Sequence, residues 1–186
     1  MENLYQTPYI HEIPVPLSVA IELKTYASSL NEEQTLAHCL RKRAEGLPFL
    51  RCLAVGNKIL LQSETIIPVK VSRSATEADF QELQSRIIDR NAPNTLTIIS
   101  SFVSQGERRI LNLAIEARVP AVFLAQFDIS DQSKIPAELL SAINEGRLLM
   151  LAPWPTIRNQ AFFVRNQCLL INRIAEIIST LDKKTI

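Results

Sequence analysis

Glycine is scarce in this sequence of 186 residues: only Gly46, Gly56, Gly106 and Gly146 are present, against roughly 13 expected at the average usage of about 7%. Open α/β sheets that bind nucleotides spend glycines where backbone must approach phosphate, so this supply argues against a tight phosphate cradle. Histidine is scarcer still. His11 and His38 both fall in the amino-terminal quarter and give no basis for a Ser-His-Asp arrangement, and no G-x-S-x-G or Walker A pattern accompanies them. Cys39, Cys52 and Cys168 are odd in number and far apart. They form neither a C-x-x-C pair nor a Cys/His cluster with ligand spacing, so no metal and no cofactor are expected. Isolated thiols fit a reducing compartment. The start Met1-Glu2-Asn3-Leu4-Tyr5 lacks a basic segment followed by an apolar core, and no apolar run nears the roughly 20 residues that span a bilayer. A cytoplasmic protein with no membrane association is expected. Charge of one sign is also missing. Twenty basic residues against nineteen acidic ones leave +1, so any pull toward nucleic acid must come from a local patch.

What is present is enough apolar material, 47% of residues, for an ordinary core. Residues 1–16 carry Pro8, Pro14 and Pro16 and read as an extended arm. Residues 17–30 read as a helix. Asn31 reads as the N-cap of a second helix over 32–45, with Gly46 in the C′ position. This pair invites a helix-turn-helix reading through Arg41-Lys42-Arg43; the competing reading is that cations in a last turn complement the helix dipole. Residues 50–55 and 58–61 flank Gly56-Asn57 as a hairpin. The division expected is an arm and helical pair over 1–46 and a second unit over 47–186, or one compact domain throughout.

From residue 65 the pattern reads β-α-β-α-β-α-β-α. Strands fall at 65–71, 96–100, 121–125 and 147–152. The helices between them carry Phe80, Leu83, Ile87 and Ile88, then Ile110, Leu111, Leu113, Ala114 and Ala117, then a short segment bracketed by Pro136 and Gly146. A last helix is expected over 159–179. The strands are continuously apolar rather than alternating, the mark of a parallel sheet covered on both faces. The predicted fold is α/β and Rossmann-like, a mostly parallel sheet flanked by helices, with an N-terminal helical pair and a β-hairpin.

Three blocks, in order, resemble the Rossmann-like domain of the DprA/Smf family, within the wider group that includes the LOG proteins. Gly56-Asn57-Lys58-Ile59-Leu60-Leu61 with Ile66-Ile67-Pro68-Val69-Lys70-Val71-Ser72-Arg73-Ser74-Ala75-Thr76 is similar to the family's "G-n-x-x-L-L … i-a-i-V-G-S-R-x-a-t". Thr97-Ile98-Ile99-Ser100-Ser101-Phe102-Val103-Ser104-Gln105-Gly106-Glu107 resembles its "v-v-S-G-f" turn and the branch "S-G-F-h-S-p-x-E". Gly146-Arg147-Leu148-Leu149-Met150-Leu151-Ala152-Pro153, followed by Arg165-Asn166, is similar to "G-r-L-L-l-l-S-p-f … R-N". The likeness covers roughly residues 50–178. Two family glycines are replaced, by Val71 and Ser101, the later glycine-rich segment has no counterpart, and the LOG motif "P-G-G-x-G-T-x-x-E" is absent. These departures predict an incomplete nucleotide pocket and no catalysis.

The candidate ligand or phosphate residues are Ser72, Arg73, Ser100, Ser101, Gly106, Glu107, Arg165 and Asn166. They lie at strand carboxyl ends or helix starts, where unpaired N–H groups face a turn. Each has a structural reading too: a surface ion pair for Arg73, a tie between two loops for Asn166, dipole complementation for Glu107, and a capping box for Ser104 with Glu107. Ser74 with Glu77 reads as another capping box. Trp154 reads as a core edge or a base-stacking platform. Arg41, Lys42, Arg43, Arg108 and Arg109 are candidate nucleic-acid contacts. The resemblance implies a non-catalytic binding protein for single-stranded DNA or a nucleotide. The alternatives are an interaction-only domain that homodimerises, because strands counted to Ile186 leave an edge needing cover, and a LOG-like nucleotide-processing enzyme.

Overall fold

The computed structural model describes residues 6–43, 46–72, 74–89, 96–131, 134–153 and 165–183. Arg73, Trp154 and the expected start of the last helix lie outside them.

The carboxyl-terminal two thirds folds as the apolar runs predict. Strands β4 (Thr65–Pro68), β5 (Leu96–Ser100), β6 (Ala121–Leu124) and β7 (Leu148–Ala152) pair in parallel and in chain order. Helices α3 (Glu77–Gln84), α4 (Gln105–Glu116) and α5 (Ala137–Asn144) connect them, and α6 (Arg165–Thr180) follows β7. Every residue of β5, β6 and β7 is buried, because both faces of the sheet are covered. On one face Ile98, Ala121, Phe123, Leu148 and Met150 pack with Ile110 and Leu111 of α4 and Leu139 and Ile143 of α5. On the other, Ile66, Ile99, Val122, Leu149 and Leu151 pack with Leu170, Ile171, Ile174 and Ile178 of α6. Each such side chain, fully buried, contributes on the order of 1.5–3 kcal/mol, so these two layers hold the sheet edge that carries the candidate site.

The amino-terminal segment joins the same sheet. The expected arm contains β1 (Tyr9–Pro14), which pairs antiparallel along β3 (Pro48–Gly56). Helix α1 (Leu17–Ser29) forms where expected and buries Ala20, Leu23 and Ala27. The second helix is shorter than its sequence suggests: α2 ends at Cys39 (Glu33–Cys39), and the chain turns into β2 (Leu40–Lys42), which pairs with the first residues of β3. Arg41 and Lys42 therefore stand on a strand, not in a helix's last turn. Asn31 caps no helix start either. Its φ of +58° and its N–H bond to the Ser28 carbonyl place it just past the end of α1, the left-handed role that Asn fills almost as well as Gly. Gly46, with φ +82°, donates to the Arg43 carbonyl in the turn joining β2 and β3, so the fold's hairpin lies there.

The hairpin expected at Gly56-Asn57 is replaced by a 3-10 turn over Lys58–Gln62, capped by the Asn57 side chain accepting from the Ile59 N–H. Gly56 is needed for another reason. It has φ +111° and its α-carbon faces the Leu148 carbonyl, which leaves no room for a Cβ. This is the point where β3 docks antiparallel on β7 and joins the amino-terminal strands to the parallel half. The sheet order is β1-β3-β7-β6-β5-β4, with β2 on the same edge of β3 as β7. Because Leu53 lies opposite Ala152, the residues of β3 before Leu53 extend past the end of β7. The β2–β3 hairpin thus projects on the order of 10–15 Å beyond the carboxyl end of the parallel strands.

Candidate functional site at the carboxyl edge of the sheet

The groove at the carboxyl ends of β4 and β5 has a volume of about 1120 Å³. Its floor is the β5–α4 loop with Ser101, Val103 and Ser104. One wall is the β4–α3 connection with Val71 and Ser72, together with Phe80 of α3, and the other carries Arg108, Arg109 and Asn112 of α4 and Cys168 and Asn172 of α6. Such a crevice is where open parallel sheets bind ligands.

The loop is built tightly. Ser100 accepts from the Phe102 N–H at 3.3 Å. Phe102 adopts φ +48°, an uncommon conformation for a bulky residue, and is held there by burial against Phe123, 5.4 Å between ring centres. Ser104 then caps α4 as its sequence predicts: its hydroxyl accepts from the Glu107 N–H at 3.1 Å, and the Glu107 side chain returns to the cap. Glu107 does more than close a capping box. Its Oε2 accepts from the N–H groups of Val103 at 3.1 Å and Ser104 at 3.4 Å, and the Val71 backbone and the Ser100 side chain also favour its charged form. It is 5% exposed. Burial pushes its carboxyl above the ordinary carboxylate value, opposed by these four groups.

Val71 occupies the space beside the start of α4. A Cβ on Gly106 would lie 2.5 Å from Val71 Cγ1 and 3.1 Å from Phe80 Cζ, so the valine methyls fill the space beside the first turn of α4. Ser101 is buried and lines the groove, and Ser72 is exposed with its hydroxyl bonded to that of Ser74 at 2.8 Å. Helix α3 is capped by Thr76 with Asp79, not by the expected Ser74 and Glu77. That frees Glu77 to grip the Arg109 guanidinium with both oxygens, at 2.5 and 2.7 Å, while Arg109 lies 4.5 Å over the Phe80 ring. Arg108 is exposed and donates to the Val103 carbonyl at 2.8 and 3.1 Å.

The sequence-derived residues thus divide. Ser72, Ser101, Gly106, Glu107, Arg108 and Arg109 come together around the groove, with Ser100 behind Glu107. Arg165 is exposed at the start of α6. Asn166 donates from Nδ2 to the Leu30 carbonyl at 2.8 Å, tying α6 to the end of α1. Arg41, Lys42 and Arg43 stand on the projecting hairpin, with Arg43 3.5 Å from Glu12 and 5.4 Å over the Phe49 ring. Cys168 and Asn172 were not recognised from sequence. They sit four apart on α6, on the helix face turned to the groove, and only the placement of that helix gives them meaning. Burial raises the Cys168 thiol above its ordinary value. Among the described residues no group of three or more His, Cys, Asp or Glu side chains could hold a metal ion, and no helix is long and apolar enough to cross a membrane.

No family model and no curated protein matches this chain. Among solved structures it is similar to DNA processing protein A (DprA) from Streptococcus pneumoniae, with a TM-score of 0.51 and 15% sequence identity. The match covers 69% of this chain and 44% of the DprA chain. The likeness runs to DprA and does not extend to the LOG grouping. At that identity it is one of fold, and the chain has a DprA-like, Rossmann-like fold.

Proposed function

We propose that this is a non-catalytic binding protein that takes single-stranded DNA along the carboxyl edge of its sheet. The observation that supports this reading most is the pairing of a wide groove with exposed arginines on its α4 wall, where the backbone N–H groups are already occupied by Glu107. A mononucleotide held in a backbone cradle needs those N–H groups free. A polyanionic strand needs side-chain cations spaced along a path, and Arg108, Arg109 and Arg165 supply them at the same end of the sheet as Arg41 and Lys42. The setting proposed is the cytoplasm.

The test is fluorescence anisotropy with a labelled single-stranded oligonucleotide at two salt concentrations. Binding should weaken steeply with salt, with a slope of about −0.7 per phosphate contact, and Arg108→Ala or Arg109→Ala should lower affinity and flatten that slope. Binding that is absent, or indifferent to salt, would defeat the reading.

A second reading, homodimerisation, is favoured by one observation. β1 is an edge strand, and its Ile10 is 49% exposed. An open edge is a template for pairing with a second copy. Sedimentation equilibrium decides it: a dimer converted to a monomer by Ile10→Lys supports it, and a monomer for the native protein defeats it.

A further inference from the structure

We propose that Glu107 is the groove's own anion and sets its ligand specificity: seated on the amides at the start of α4, it turns away terminal phosphate groups and leaves the groove to ligands gripped by side chains. This inference rests on the reading of the groove as the binding site.

Two N–H groups before α4, of Val103 and Ser104, donate to one carboxylate, and the Val71 backbone after β4 and the Ser100 side chain at the end of β5 also favour its charged form. These are the groups that a parallel α/β sheet offers to an incoming phosphate. A carboxylate carried on the same chain holds them at high effective concentration, so a free phosphate must displace it and also face its charge. Among the described residues no cation pairs with Glu107; Arg109 is engaged by Glu77 and Arg108 by the Val103 carbonyl. Room is closed on the other side as well, since Val71 stands against Gly106, where a phosphate would need bare backbone. An internal phosphodiester on Arg108 and Arg109 meets neither obstacle.

The experiment is an amide NMR titration of the full chain with inorganic phosphate and with deoxyadenosine monophosphate, following Val103 and Ser104. In the native protein these two amides should stay unmoved by millimolar phosphate. In Glu107→Ala they should shift, with phosphate bound at least about tenfold more tightly; Glu107→Ser serves if the alanine variant does not fold. Movement of the two amides in the native protein would overturn the inference without any variant, as would a folded variant that ignores phosphate. Failure here is separable from failure of the DNA reading. Oligonucleotide binding together with phosphate at Val103 and Ser104 would sink this inference alone. Phosphate excluded by the native protein and admitted by the variant, with the oligonucleotide silent, would sink only the DNA reading.

Discussion

Gly106 and Val71 compete for one space: a Cβ at position 106 would lie 2.5 Å from Val71 Cγ1 and 3.0 Å from Val71 Cβ. In an exposed helix, Gly→Ala ordinarily stabilises by up to about 1 kcal/mol. Here overpacking should reverse the sign, and Gly106→Ala should cost about 1–3 kcal/mol in urea denaturation. Because the opponent is a side chain, Val71→Ala in the same molecule should recover a large part of that loss. Two additive losses would show that the two residues do not share the space.

A different outcome is expected at Gly56, where the opposing atom is the Leu148 carbonyl oxygen and φ is +111°. Neither the backbone obstacle nor the conformation can be relieved by repacking a side chain. Gly56→Ala should therefore cost about 2 kcal/mol or more. The loss should appear first as faster hydrogen exchange in β7 from Met150 to Ala152, because Gly56 joins β3 to that strand. A variant with native stability would mean that the β3–β7 joint has slack that its geometry denies.

The parallel half of the fold was legible because strands buried on both faces must be almost wholly apolar, as residues 96–99, with Thr97 their one polar member, and 122–124 are. The cap of α4 was legible because Ser104 and Glu107 have the spacing that the hydrogen bonds require. Before α3 two such frames overlap, Ser74 with Glu77 and Thr76 with Asp79. Local pattern cannot choose between them; the ion pair of Glu77 with Arg109 on the neighbouring helix is compatible with only the second. The run Lys58-Ile59-Leu60-Leu61 misled for a related reason. Its apolarity suits a strand or a tight helical turn equally, and the Asn57 side chain settles the matter by capping the turn. Nothing local announced that Leu40–Lys42 would leave a helix to pair with β3, since that depends on a partner further along the chain. The groove was half legible. Its loop residues carry signals at fixed spacing, whereas Cys168 and Asn172 acquire a role only when the start of α6 reaches the same groove as α4.

The ion pair on the groove wall gives a test of opposite signs. Glu77 holds both nitrogens of the Arg109 fork, which lowers the Glu77 carboxyl below its ordinary value and ties up a cation the DNA reading needs. Glu77→Gln should free that cation and remove a like charge from the path of a phosphate backbone. Oligonucleotide affinity at low salt should rise several-fold while Arg109→Ala lowers it, and the gain should shrink as salt screens it. If Glu77→Gln weakened binding, the pair would be positioning Arg109 and not restraining it.

Glu107 also makes a signed prediction for stability against pH. Burial raises its carboxyl in the folded chain above the ordinary value of 4.5, so the folded state binds a proton more tightly there than the unfolded chain does. By linkage its contribution is fully present below the unfolded value and is lost as pH rises through the folded one. Glu77, Asp79 and Glu145 act the other way. Their carboxyls are lowered by Arg109, by the Thr76 cap and by Arg147, so their contributions are present above the ordinary value and lost as pH falls. The half-buried His11, lowered mainly by desolvation, likewise loses stability on acidification. The native curve mixes both signs, and the comparison with Glu107→Gln isolates one. Gln keeps an acceptor for the Val103 and Ser104 N–H groups and never ionises. The stability of the native protein relative to this variant should therefore be highest below pH 4.5, decline as pH rises above it, and level off once Glu107 is ionised in both states. Chemical denaturation of the two proteins across that range measures it directly. A difference that stayed flat, or grew in favour of the native protein with rising pH, would mean that the four groups around it outweigh the cost of burying the charge.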